Sequence, residues 1–141
     1  MHDVIRIRGI SITFLQTRHQ TGGALDLFEV TIPGHQGLFV PHLHTNYDET
    51  IFGVDGIATW MVEGEVIRVR PGDQLFIPRG AVHGFLNKHD LPCRMMFLLT
   101  PGVVGPEYFC ELAYAIQPDG TADLAEIASV MTRYGVRAVA Q

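Results

Sequence analysis

Hydrophobic and polar residues alternate over short stretches of the first hundred positions. In residues 24–32, for example, Phe28, Val30 and Ile32 alternate with polar residues, as in a strand with one buried face. Asp-Gly and Pro-Gly pairs, which favour turns, separate many of these stretches. The predicted strands are residues 11–16, 24–32, 38–40, 47–54, 57–62, 66–69, 74–77, 83–86 and 94–100. Many short strands at regular spacing predict an all-β sandwich or barrel.

Beyond residue 100 the pattern changes to a helical period. Residues 106–115 are predicted to form a helix, with Pro106 suited to its first turn and an apolar side made by Tyr108, Phe109 and Leu112. A second helix is predicted to begin after Asp123, which forms a capping box with Glu126, and to end at Gly135. Its apolar positions are Leu124, Ile127, Ala128, Met131 and Tyr134. We expect one domain over 1–141, with a β part at about 4–100 and the helices, at about 106–135, packed on its outside.

Composition excludes several classes of protein. Of the 141 residues, 47% are hydrophobic and 18% charged, with a mean hydropathy of +0.17, which excludes a disordered chain and indicates apolar surface buried in an oligomer. The net charge of −5 without a basic run argues against binding to nucleic acid or anionic membranes. No apolar run is long enough to span a bilayer, and no signal peptide is visible. We therefore expect a cytoplasmic protein.

The two cysteines add little to this picture. Cys93 and Cys110 do not form a Cys-x-x-Cys pair. In the expected compartment they are predicted to be reduced thiols in or near the core, and the sequence leaves a disulfide between them open.

The histidines carry the candidate chemistry. His42 and His44 are two residues apart, so on a strand both imidazoles face the same side. Glu49 lies at an odd offset from them and would face the other side of an unbroken strand. A bend near Thr45-Asn46 would return its carboxylate to the same centre.

His83 follows a tight turn and is the fourth candidate ligand. Three imidazoles and one carboxylate form a mixed nitrogen and oxygen site, with a net charge of about +1 when a divalent cation is bound. Asn87 is expected to cap a turn rather than to contact the ligand. The remaining histidines are expected to be exposed and not to bind metal; they are His2, His19, His35 and His89. The scattered arginines, Arg68 and Arg70 among them, are expected on solvent-facing strand surfaces.

These residues resemble the two sequence motifs of the cupin family. The first motif is similar to His42-x-His44-x4-Glu49-x6-Gly56, and the second to Gly72-x5-Pro78-x-Gly80-x2-His83-x3-Asn87. The glycine that usually opens the first motif is replaced by Gln36, with Gly37 one position later. The stretch from Thr100-Pro101-Gly102 into the helices is more loosely similar to small single-domain, quercetin-dioxygenase-like cupins.

The resemblance implies a cupin-type double-stranded β-helix, or jelly-roll, barrel that commonly forms dimers. It also implies that one divalent transition metal (Fe, Mn, Ni, Co, Cu or Zn) is bound by His42, His44, Glu49 and His83. Tyr47 is two positions from Glu49, and Phe85 is two positions from His83, so on a strand each side chain faces the same side as its neighbouring ligand. Both are candidates for the wall of a substrate pocket, although each could equally be a core residue.

Three functions are compatible with these residues. The favoured one is a metal-dependent dioxygenase for a small aromatic or enolisable substrate, with Glu49 as general base. The same site could instead catalyse a non-oxidative isomerase, lyase or decarboxylase reaction. The third is a small-molecule-binding or sensing cupin with a structural metal and no turnover, because one fold hosts many functions. A homodimer that binds a small-molecule substrate or ligand is expected whichever function applies.

Overall fold

A computed structural model describes residues 3–37, 40–117 and 119–139 of the chain. Within these ranges it contains eleven strands and two helices. The elements in chain order are β1 Val4–Ile7, β2 Ile10–Gln16, β3 Asp26–Ile32, β4 His42–His44, β5 Asp48–Asp55, β6 Ala58–Val62, β7 Glu65–Val69, β8 Gln74–Ile77, β9 His83–Leu86, β10 Cys93–Thr100, α1 Gly105–Ala115, α2 Leu124–Arg133 and β11 Val136–Ala138. The predicted strands and helices agree with these to within about two residues at most ends. The predicted strand at 38–40 lies largely outside the described residues.

The strands form two antiparallel sheets in a jelly-roll barrel, as the motif resemblance implied. The six-stranded sheet has the order β1-β2-β3-β10-β5-β8, and the five-stranded sheet has the order β11-β4-β9-β6-β7. Neighbours distant in sequence are paired in both sheets, as β3 and β10 are. The predicted all-β fold with two C-terminal helices is therefore confirmed.

Alternation along the strands creates the core. In β3, Phe28, Val30 and Ile32 are buried, while the residues between them are only partly covered. Phe28 packs against Phe97 of β10, and Phe97 contacts Trp60 of β6 across the interior. The inward faces of both sheets thus meet in one apolar core, as expected for a β-sandwich or barrel.

The C-terminal helices, predicted to pack on the outside of the β part, also contribute to that core. Phe109 of α1 contacts Phe14 and Phe28, and Val130 of α2 is fully buried. The predicted cap of α2 is present, because the Asp123 side chain accepts a hydrogen bond from the backbone N–H of Glu126. Leu124, predicted on the apolar side of α2, is instead 78% exposed at the first position of this helix.

The chain returns from α2 to the barrel through β11, which the alternation pattern does not predict. Val136 pairs with His44, and Ala138 pairs with His42. The short strand that carries two of the candidate ligands is therefore held between β9 on one side and the end of the C-terminal segment on the other.

Both cysteines are free thiols in the described part of the chain, as expected, but Cys110 is exposed rather than in or near the core. Cys93 is buried in the core, and burial raises the pKa of its thiol to about 11. No helix in the described ranges is both long enough and apolar enough to cross a membrane.

Candidate metal centre

Two neighbouring strands of the five-stranded sheet bring three histidines together. His42 and His44 lie on β4, and His83 begins β9, where it is the register partner of His42. The ring centroid of His83 lies 4.4 Å from that of His42 and 4.5 Å from that of His44. The predicted same-side placement of His42 and His44 is thus observed, and the antiparallel pairing adds the third imidazole.

Backbone hydrogen bonds orient two of the rings. Nδ1 of His42 lies 2.7 Å from the Val40 carbonyl oxygen, and Nδ1 of His83 lies 2.9 Å from that of Ala81. Since a carbonyl can only accept, each Nδ1 carries the proton and donates it, which leaves Nε2 with a free lone pair. Such a second hydrogen bond is the usual way that proteins orient metal-binding histidines.

The free ring nitrogens converge on one small volume. The three histidines offer ligand atoms that all lie within 4.8 Å of one another. Nε2 of His83 is buried, and it has no hydrogen-bond partner among the described residues. An unpaired buried nitrogen is costly, so the arrangement fits a cation that would accept the three lone pairs.

Glu49 returns to this centre after a bend, as predicted. The chain bends at Thr45 and Asn46 before β5 begins. Oε2 of Glu49 then lies 3.7 Å from Nε2 of His83. The carboxylate is beside the histidines but outside the group of atoms within 4.8 Å of one another. A mixed set of three nitrogens and one oxygen suits a divalent transition metal.

Burial keeps the whole centre uncharged when no cation is bound. Burial lowers the pKa of His44 to about 2 and the pKa of His83 to about 4, and neighbouring histidines add to both shifts. Burial also lowers the pKa of His42. Burial raises the pKa of Glu49 to about 8. Neutral imidazoles are the form that binds metals, and a bound cation would favour the ionised carboxylate.

Aromatic side chains surround the centre. The Tyr47 ring stacks on His44 with 4.3 Å between centroids, and it is almost fully buried. Phe85 packs between Trp60 and Phe97 in the apolar core, where it forms barrel wall. Its role in a substrate pocket, like that of Tyr47, stays a prediction.

The other polar residues considered from the sequence, Asn87 and the remaining described histidines, lie away from the metal centre as predicted. Asn87 is fully buried, and its amide donates to the carbonyls of Ile32, Pro33 and Leu91, so it closes a turn rather than contacting the centre. The exposed histidines in the described ranges are His19, His35 and His89. His2 lies outside the described residues.

One residue near the centre was not singled out as a site residue from the sequence. Tyr108 of α1 is buried, and both burial and the nearby Glu49 raise the pKa of its hydroxyl above the usual range. From the helical spacing, the sequence predicts only that Tyr108 lies on the apolar side of α1. Its proximity to Glu49 depends on how α1 docks on the barrel, and no local sequence signal reports that.

Comparison with known proteins shows which family model and which relatives this chain matches. The family model described as "Cupin domain" matches residues 28–99, which include all four candidate ligands and about half of the chain. The chain is 34% identical over 68 residues to quercetin 2,3-dioxygenase of Bacillus subtilis, covering 48% of this chain and 20% of that protein. It is 30% identical over 87 residues to the tetracenomycin polyketide synthase protein TcmJ of Streptomyces glaucescens, covering 62% of this chain and 56% of that protein.

A solved structure shows the same fold. KdgF from Halomonas sp. superposes with a TM-score of 0.62 at 24% sequence identity, covering 71% of this chain and 86% of that chain. The chain spans only part of these curated relatives, since the matched region covers 20% of the length of the quercetin 2,3-dioxygenase and 56% of the length of TcmJ.

Proposed function

The chain belongs to the cupin family, and on that premise we propose that it is a metal-dependent dioxygenase acting on a small aromatic or enolisable substrate. One observation carries the metal-dependent part of this proposal. Three imidazoles bring ring nitrogens within 4.8 Å of one another beside a carboxyl group, and the buried Nε2 of His83 has no hydrogen-bond partner among the described residues. His42, His44, His83 and Glu49 are the proposed ligands.

The bound metal would supply Lewis acidity toward an enol or phenol oxygen and, where it is redox-active, reactivity toward dioxygen. The residues of this chain supply binding and proton transfer. We propose that Glu49 accepts the substrate proton, because its carboxyl group lies beside the histidines and a bound cation would keep it in the ionised form that acts as a base. We further propose that Tyr47, which is stacked on His44, orients the substrate through its hydroxyl group.

The proposed oxidative chemistry rests on the relative named quercetin 2,3-dioxygenase, to which 68 residues of this chain are 34% identical. A non-oxidative isomerase, lyase or decarboxylase reaction is the second candidate. It is favoured by the Glu49 carboxyl group itself, since proton exchange at that position needs no dioxygen. The match to a polyketide synthase protein, which covers more of this chain, is equally compatible with the second candidate.

Metal analysis combined with oxygen uptake tests the proposal. The protein is purified without chelators or a metal column, and its metal content is measured before an oxygen-electrode assay with flavonols, catechols and diketones. Near-stoichiometric iron, manganese, nickel, cobalt or copper with oxygen uptake supports the dioxygenase. Zinc with product formation but no uptake supports the non-oxidative reaction. Metal without any turnover supports a binding cupin, and no metal after reconstitution contradicts a metal-dependent function.

A glutamate variant tests the proton-transfer role. Glu49→Gln should retain part of the metal and lose most of the turnover, because the amide cannot accept the proton. Glu65→Gln on β7, an exposed glutamate without an ion pair among the described residues, is the matched control and should keep full activity. Unchanged activity in Glu49→Gln would remove this residue from the mechanism.

We also propose a homodimer, which the exposed apolar residues support. Val4 on the edge strand β1 is 42% exposed, and Tyr114 and Leu124 on the helices are 86% and 78% exposed. Light scattering coupled to size exclusion would give the mass of the particle, and a monomeric mass would contradict this proposal. Location in the cytoplasm stays a prediction from the sequence.

A further inference from the structure

A second concave surface lies on the outer face of the five-stranded sheet. It is a groove of about 240 Å³, and its basic lining residues are Arg68, Arg70, Lys88 and His89. These residues come from two separate parts of the chain, the end of β7 with the turn that follows it and the loop after β9. The rest of the lining carries no acidic residue.

The register of the strands separates this groove from the metal centre. Arg68 pairs with Thr59, which also lines the groove, whereas the next position along β6 is Trp60, whose ring packs inward near His83. Because successive side chains on a strand point to opposite faces, Thr59 and Arg68 face outward. The groove and the histidine cluster thus lie on opposite sides of the same sheet.

The backbone beneath the arginine side of the groove is held in place. The Arg70 backbone N–H donates to the Asp73 side chain at 2.9 Å, and the Arg70 carbonyl accepts from the Asp73 N–H at 2.9 Å. Gly53 packs so closely against this turn that a Cβ there would overlap the Arg70 carbonyl oxygen. Arg70 therefore projects from a fixed turn, and Arg68 projects from the paired strand β7.

The lysine side of the groove is anchored by Asn87. Besides its three donated hydrogen bonds, Asn87 accepts one from the backbone N–H of His89 at 3.0 Å. The His89 carbonyl in turn accepts from the N–H of His35. Both sides of the groove are thus built on ordered backbone, which lowers the entropic cost of binding a ligand.

The lining residues give the groove a positive charge. The chain has a net charge of −5, yet Arg68, Arg70 and Lys88 place three permanent positive charges on one groove, with His89 as a further polar group. None of the four takes part in an ion pair within the described ranges of the chain. An alternative explanation needs no ligand, because charged residues on an edge strand such as β7 protect the sheet against edge-to-edge aggregation. That explanation covers Arg68, but it does not cover Lys88 and His89, which approach from a different loop.

We propose that this groove binds a phosphate-type dianion that carries a small apolar group, that is, an organic phosphomonoester. Guanidinium groups match the geometry of phosphate oxygens through paired hydrogen bonds, and lysine adds a point charge. Ile57 and Val66, which is 62% exposed, supply apolar lining for the organic part. This site is independent of the proposed catalytic function.

Titration with phenyl phosphate at low ionic strength tests the proposal, with backbone amide shifts followed by NMR. We expect saturable binding, with shifts centred on residues 57–59, 66–70 and 88–89. Inorganic phosphate should bind more weakly, and phenol should not bind. The double variant Arg68→Gln with Lys88→Gln should weaken binding by about tenfold or more, which corresponds to about 1.4 kcal/mol.

Control variants make the result decisive. Arg6→Gln alters an exposed arginine on β1, the edge strand of the other sheet, and should leave the affinity unchanged. Arg68→Lys keeps the charge and the fold but removes the guanidinium, so it should weaken binding less than the double variant. The variant His42→Ala with His44→Ala should still bind, which separates this groove from the metal centre. Absence of saturable binding, or equal affinity in the double variant and Arg6→Gln, would overturn the proposal.

Discussion

Two parts of the barrel interior lie side by side and have opposite chemistry. In the aromatic part, Phe28, Phe97, Trp60 and Phe85 pack with ring centroids 4.8–5.8 Å apart. Even the indole N–H of Trp60 has a partner there, the sulfur of Met95. In the polar part, His44, His83 and Glu49 are buried to a similar degree, and Nε2 of His83 has no hydrogen-bond partner within the described residues.

The difference shows which part stabilises the fold and which part depends on a ligand. Buried aromatic surface contributes favourably by leaving water. Buried imidazoles and a buried carboxyl group cost free energy unless they are paired, and the lowered histidine pKa values record that cost. A bound cation would offset it, since any ligand that binds only the folded state stabilises that state.

The largest expected effect comes from removing ligands in the polar part. His42→Ala combined with His44→Ala should abolish stoichiometric metal binding and leave a folded β protein, because neither side chain belongs to the aromatic cluster. Elemental analysis and circular dichroism would check this, with His35→Ala as the exposed control. Full metal occupancy in the double variant would show that the ligands lie elsewhere.

A truncation in the aromatic part should give the largest loss of stability. Phe97→Ala should lower the free energy of unfolding of the metal-free protein by about 3–5 kcal/mol, the usual cost of a buried Phe→Ala change. Urea unfolding would measure it. Phe76→Ala, at a site that is 58% exposed, should cost less than about 1 kcal/mol. Equal losses in the two variants would contradict the described packing.

Asn87 lies outside both parts, and its removal should have an intermediate effect. Asn87→Ala leaves the carbonyls of Ile32, Pro33 and Leu91 without their donor, so the free energy of unfolding should fall by about 1–3 kcal/mol. The chain's other asparagine, Asn46, is exposed, and Asn46→Ala is the control for urea unfolding. A loss of metal without a loss of stability in Asn87→Ala would instead indicate a role at the centre.

The smallest effect is a pH dependence of the metal-free protein. The histidines have lowered pKa values, so the stability that they contribute is present above pH 6.5 and is lost as the pH falls through their folded values. The pKa of Glu49 is raised from 4.5 to about 8, so its contribution is present below pH 4.5 and is lost as the pH rises through 8. Between pH 4.5 and 6.5 the three histidines outweigh the single carboxyl group.

Stability should therefore peak near pH 6.5 and decline toward pH 8 by at most about 1.4 kcal/mol per pH unit. Urea unfolding of the metal-free protein on both sides of the maximum would measure this decline. Glu49→Gln should flatten the decline above pH 6.5, whereas Glu65→Gln should leave it in place. An identical decline of stability in both variants would show that groups other than Glu49 cause it.

Most of the barrel was predictable because strand alternation and turn residues are local signals. Residues 24–32 show this, since each inward side chain is marked by its position in the sequence. The convergence of His42, His44, Glu49 and His83 was predictable from parity, from the bend at Thr45-Asn46 and from the motif spacing. The strand β11 was not predictable, because three residues are too few to show a period.

The sequence by itself determined the β class and the two C-terminal helices, because these follow from periodicity along the chain, and it identified the clustered histidines through the resemblance of its two motifs to a known family. Only the tertiary structure decided that β11 pairs with β4, that Tyr108 lies near Glu49, and that Arg68 and Lys88 share a groove. The physical reason is the same in each case. These contacts join segments distant in sequence, and their geometry is set by the packing of whole elements rather than by local preference.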